Sequence, residues 1–139
     1  MSCILRVGGP GFNVDHFLRA AALEPYRVDR KGERGSSRRL AAEPGVHFLV
    51  SDRSFDDLDG QVAEATAFLK AHSQALRTIV SFPGVESPML DFGVAWRDVA
   101  VQVDRVSAEL LRLAGELGIG LQFSHYPVSE PTDNEAAGA

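Results

Sequence analysis

Seven residues between 55 and 76 (Phe55, Leu58, Val62, Ala65, Leu69, His72 and Leu76) follow one another at spacings of 3, 4, 3, 4, 3 and 4. That rhythm draws a single apolar stripe along an α-helix. A helix with such a face must bury it, so the chain has to supply an apolar surface elsewhere. Ser54 reads as the opening residue, and Asp56, Asp57 and Asp59 crowd the first turns. Negative charge there meets the positive end of the helix dipole, which explains the three acids without a catalytic role. Gly60 weakens the helix by up to about 1 kcal/mol relative to alanine, less than the stripe restores.

The opposing surface is expected from short apolar runs. "SCILRV" leads into Gly8-Gly9-Pro10-Gly11 and reads as a first strand that leaves through a turn. "VHFLVS" (46–51) reads as a second strand, and "LRTIVSF", closed by Pro83-Gly84, as a third. "MLDFGVAW" alternates, with Leu90, Phe92, Val94 and Trp96 on one side. Val99, Val101 and Val103 alternate again, predicting a hairpin or a bulged long strand. "IGLQFSHY" makes a last strand, whose His125-Tyr126 end reads as a packed edge, with a pocket lining as the alternative.

Two further helices are expected. Asn13 caps one carrying Val14, Phe17, Leu18 and Ala21, which stops before Pro25. Ser107 caps the other, with Leu110, Leu111, Ala114 and Leu117 inward and Gly118 as its left-handed stop. The order predicts an α+β fold: a single mostly antiparallel or mixed sheet of about five to six strands, with about three helices on one face. One domain is expected over residues 1–126, followed by a disordered polar tail at 127–139.

Composition narrows the function classes. The 139 residues are 45% apolar and 24% charged, as in a folded globular protein, with a net charge of −5. No apolar run reaches the roughly 18 residues of a membrane span, and "MSCILRVGG" does not read as a signal peptide. Cys3 is the one cysteine, so no disulfide forms within the chain. A reducing, cytoplasmic setting is expected.

Charge is unevenly spread. "RVDRKGERGSSRRL" (27–40) holds six of the fourteen Lys and Arg residues against two acids. The rest of the chain carries 14 − 6 = 8 bases and 19 − 2 = 17 acids. The segment reads as a loop, and Arg30, Lys31, Gly32, Glu33, Arg34, Arg38 and Arg39 are the candidate residues for a partner or an anion. No aromatic lies between Tyr26 and Phe48 to stack on a base, and the acidic balance also disfavours nucleic acid.

Other motifs assign little chemistry. "VGGPGF" lacks the Gly-Lys-Ser/Thr of a phosphate loop and the spacing of a dinucleotide fold, and reads as a tight turn. His16, His47, His72 and His125 do not fall at metal-motif spacing, and Cys3 lies in an apolar strand as an inert thiol. No catalytic residue, metal or cofactor is assigned.

With these segments placed, the chain resembles a family of small bacterial proteins known as domain of unknown function 4279. "GFNVDHFL", "LEPYRVDRKGE", "FDDLDGQVAEATAFL" and "SAELLRLAGELGIGLQFSHY" carry the resemblance. Where that family often has a tryptophan in the second strand, this chain has "GVHFLVSD". The resemblance implies an α+β fold and no established activity, and it recasts Arg30 to Glu33 as a recurring turn.

The expected function is a noncatalytic cytoplasmic interaction protein, of the immunity type that neutralises a bacterial toxin. The alternative is an enzyme or small-ligand binder for a phosphorylated, anionic metabolite, using Arg30, Lys31 and Arg34 beside the Gly8-to-Gly11 turn. Strand edges and the Leu90-to-Trp96 face are the expected route to a homodimer.

Overall fold

The structure is a computed structural model, and it describes residues 1–30 and 43–127. The first strand, β1 (Cys3–Gly8), leads through a turn into α1 (Val14–Ala20). The Asn13 side chain accepts from the His16 amide at 2.9 Å, the expected cap. Two strands follow, β2 (Arg27–Asp29) and β3 (Gly45–Ser51), and then two consecutive helices, α2 (Leu58–Ala71) and α3 (Ser73–Val80). β4 (Met89–Trp96), α4 (Ala108–Leu117) and β5 (Gly120–Pro127) complete the order.

The strands form one mixed sheet in the order β2-β3-β1-β4-β5. β1 is central and pairs antiparallel with β3 and β4, and β2 pairs antiparallel with β3. Only β4 and β5 run parallel, as they must when α4 is the crossover between them. The α+β class with a mixed sheet is as expected. The described helices number four, rather than about three.

Alternation along the strands divides the sheet into two faces. Leu5, Val7, Val46, Phe48, Leu90, Phe92 and Val94 join Phe17, Val62, Leu69, Leu76 and Leu110 from the helices in one core. Phe17 of α1 sits 5.1 Å from Phe12 and from Phe82, and 6.2 Å from Phe48, in tilted and edge-on contacts. α4 begins and ends as expected: Ser107 Oγ accepts from the Leu110 amide, and Gly118 takes a left-handed φ of 73°.

Three expectations about strands fail, each for a local reason. "LRTIVSF" is not a strand, because residues 73–80 are α3. Its β-branched run Thr78-Ile79-Val80 suggested a strand, but Leu76 and Ile79 are three apart and both are buried, so helical packing outweighs propensity. α2 stops at Ala71, and α3 starts afresh after His72. The long stripe is therefore shared by two helices.

The alternating Val99, Val101 and Val103 form no strand either. Gln102 folds back, donating to Ala95 O at 2.9 Å and accepting from the Arg97 amide at 3.0 Å. Those are backbone groups that a continuing ladder would need. The basic segment, read as a loop, opens instead with a strand: Arg27, Val28 and Asp29 pair with His47, Val46 and Gly45. At the other end, Pro127 closes β5, and the rest of the expected tail lies outside the described residues.

The Gly8-to-Gly11 turn is closely packed. A Cβ on Gly8 would lie 2.4 Å from Pro44 O, and one on Gly9 2.4 Å from Gly84 O. Gly84 itself has a φ of 88°, a conformation that glycine tolerates best. Three backbone segments therefore meet where no side chain fits.

Replacing Leu69, fully buried beneath the sheet, with alanine is expected to lower stability by about 2–5 kcal/mol. Leu111, expected inward, instead lies on the exposed side of α4, and Leu111→Ala should change stability by no more than about 0.5 kcal/mol. Urea denaturation of both variants checks the assignment of the buried stripe.

Candidate functional site

The second face of the sheet carries no helix residue in its cluster and is unexpectedly polar. Arg6 and His47 stand opposite each other across β1 and β3, and Arg27 lies opposite His47 from β2. Directly opposed residues project to the same side, so the row continues across the strands. Asp91 of β4 and Ser124 of β5 extend it on the other side of β1.

Two carboxylates organise the row. Asp29 Oδ1 accepts from Arg27 Nε at 2.9 Å and Nη2 at 2.7 Å, and its Oδ2 is 3.4 Å from His47 Nε2. Asp91 is only 5% exposed. Arg6 Nη2 donates to its Oδ2 at 2.8 Å, and the Ser124 hydroxyl donates to its Oδ1 at 2.7 Å. A buried carboxylate is tolerable when both oxygens are paired in this way. The Arg6 side chain is itself half-exposed.

His47 is mostly enclosed, and its burial pushes the imidazole pKa below the usual value. Asp29 pulls the other way, while Arg6 and Arg27 add to the downward push. The ring is therefore neutral near neutral pH, and the row reads as two ion pairs with an uncharged histidine between them.

Beside Arg6 the face dips into a cleft of about 250 Å³, with Ile4, Asp91 and Gly93 lining it and Phe55 and Tyr126 as its aromatic side. The Phe55 and Tyr126 rings stack with centroids 5.0 Å apart and planes 12° from parallel. Gly93 makes this possible: a Cβ there would lie 2.7 Å from the Phe55 ring. Phe55 is held by its backbone, whose carbonyl accepts from the Ala95 amide at 3.0 Å. The wholly buried Gln61 fixes the same junction, donating to Gly93 O at 2.7 Å and to Ser54 O at 3.2 Å.

The neighbouring end of the sheet exposes apolar surface. Trp96 is 63% exposed and Val101 75%, with Val99 and Val103 also open. Val103 shares a second cleft, of about 380 Å³, with Asp56, Asp57, Asp59 and Asp104. Among these acids Asp57 has a structural duty, because its carboxylate accepts from the Gly60 amide at 2.9 Å and caps α2. The helix thus starts three residues later than Ser54, and Phe55 is freed for the other face.

Of the residues proposed from sequence, Arg30 is described: its Nη2 donates to Asp15 Oδ1 at 2.8 Å. That brings it to the first turn of α1, beside the glycine turn of the anion reading, but against a carboxylate. The Gly9 amide there donates to Pro44 O at 3.2 Å. Lys31, Gly32, Glu33, Arg34, Arg38 and Arg39 lie outside the described residues.

Within the Leu90-to-Trp96 face, Leu90, Phe92 and Val94 are buried in this chain's own core, and Trp96 is exposed. Cys3 is enclosed, and its thiol pKa is driven far up by burial and then by Asp91, which leaves it unreactive. Among the described residues no helix is long and apolar enough to cross a membrane, and no three His, Cys, Asp or Glu side chains converge to hold a metal ion.

Sequence reasoning passed over Arg6 and Asp91. A signal was present, because each stands alone as a charge in an otherwise apolar strand, "CILRV" and "MLDFGV".

Because burial lowers the folded pKa of His47, the unfolded chain takes up this proton first as pH falls. Stability should therefore drop as pH falls from the ordinary histidine value of 6.5 toward the folded pKa, by at most about 1.4 kcal/mol per pH unit from this group. Thermal denaturation of wild type and His47→Gln across that range checks it, with the variant showing the shallower dependence. No family model matches this chain, and neither does any curated protein or solved structure.

Proposed function

We propose that this chain is a binding protein that engages a basic protein partner through the apolar, acid-rimmed end of its sheet. The observation that carries the reading is the exposure of four large apolar side chains, Trp96, Val99, Val101 and Val103, within eight residues of chain. Exposed apolar side chains gathered in this way mark interaction sites, and tryptophan is among the residues that most often dominate binding energy. The cleft that Val103 shares is lined by four aspartates, Asp56, Asp57, Asp59 and Asp104, against two arginines, Arg97 and Arg105, a net of −2. Such a rim steers a positively charged partner and disfavours acidic ones.

An immunity-type role, holding a basic toxin domain in a bacterial cytoplasm, is the form of this function that fits best. The resemblance to domain of unknown function 4279 belongs to the same proposal. The enclosed thiol of Cys3 is compatible with a reducing compartment.

The test uses the purified chain as bait in lysate from its native host, alongside Trp96→Ala and Val101→Asp. The expected result is a basic protein captured by wild type, weakened at least about tenfold by either substitution and progressively by salt. Circular dichroism should be unchanged, because both side chains are mainly in solvent. Equal capture by all three proteins, or no capture at any salt concentration, overturns the reading.

A further inference from the structure

We propose that the cleft beside Arg6 is a binding site for a small aromatic carboxylate, separate from the protein-binding end. Three observations converge on it. The first is a preset cation: Arg6 is held by Asp91 at 2.8 Å, and Asp91 is held in turn by Ser124 at 2.7 Å. A guanidinium locked by a buried partner loses little rotamer freedom on binding, which favours recognition over a free surface arginine. Its half-exposed remainder keeps donors in the flat geometry that suits a carboxylate.

The second is the wall. Phe55 and Tyr126 stack at one side of the cleft, with Ile4 and the bare Gly93 backbone close by. Apolar surface with a few placed polar groups is the usual make-up of a small-molecule site. The ring of a ligand meets these carbon surfaces while its charged end meets Arg6.

The third is size. At about 250 Å³ the cleft lies just below the range of roughly 300–1,000 Å³ common for drug-sized ligands, so its occupant is compact. The charge balance selects the sign. Asp91 is 5% exposed and bonded at both oxygens, so it is shielded from a cationic ligand, whereas about half of the Arg6 side chain is open to an anionic one.

The probes are benzoate and phenylacetate, with benzyl alcohol as an uncharged control, titrated into the full chain and followed by amide chemical shifts and calorimetry. Saturable shifts are expected at Arg6, Gly93 and Tyr126, with benzyl alcohol at least about tenfold weaker. Arg6→Gln should abolish saturation. Because that variant strands the Asp91 carboxylate, the double variant Arg6→Gln/Asp91→Asn, which removes both charges, must show the same loss while folded. Tyr126→Ala should weaken benzoate without restoring alcohol binding. No saturable shifts, equal affinity for the alcohol, or benzoate binding that survives the double variant overturns the proposal.

Discussion

Gly93 is the point on which both faces of this molecule depend. Its amide donates to Ser2 O at 2.6 Å and its carbonyl accepts from the buried Gln61, so β4 is tied at once to the chain before β1 and to α2. With no side chain there, Phe55 lies flat on the strand and stacks on Tyr126. One bare position thereby joins the helix layer, the sheet and the aromatic side of the cleft. The amide nitrogen of the deeply buried Gln61 donates to two carbonyls, Gly93 O and Ser54 O, while its Oε1 finds no hydrogen-bond partner among the described residues.

The helix-free face shows how a sheet can be polar without being loosely held. Arg27 with Asp29, and Arg6 with Asp91, form two charge pairs separated by a neutral imidazole. Such pairs add little to stability once desolvation is counted, but they fix direction. The contribution of Asp91 and Ser124 is to aim a guanidinium. The other end of the sheet is built differently: Trp96 closes β4, and Val99, Val101 and Val103 follow in a loop that Gln102 folds back on itself.

Helix ends and strand faces were readable from the sequence because they rest on local chemistry. Asn13, Ser107 and Gly118 do the work at helix ends that their side chains and backbones suit them for. Leu90, Phe92 and Val94 were readable as a face by alternation, though not which layer would cover it. The run at 76–82 was misread because periodicity of two and of 3.6 residues cannot be separated over so few positions. β2 escaped notice because three residues carry no period, and their pairing with β3 is set by tertiary contact. Arg6 and Asp91 gain meaning only when the sheet order makes β1 and β4 neighbours. Nothing in the spacing of two residues so distant along the chain announces that.

The central place of β1 has a consequence for biosynthesis. β1 precedes β3 and β4 in the chain yet lies between them, so one of its edges stays unpaired until the Met89–Trp96 segment has been made. At about 5–20 residues per second, the nascent chain spends several seconds with an apolar ribbon open to the wrong neighbour. The β4–β5 pairing joins Met89 to Gly120 through the α4 crossover, whereas the β1–β4 pairing joins Leu5 to Leu90 across a longer stretch of chain, whose closure costs more entropy. Closure of β4 onto β1 is also the event that brings the Asp91 carboxylate to Arg6.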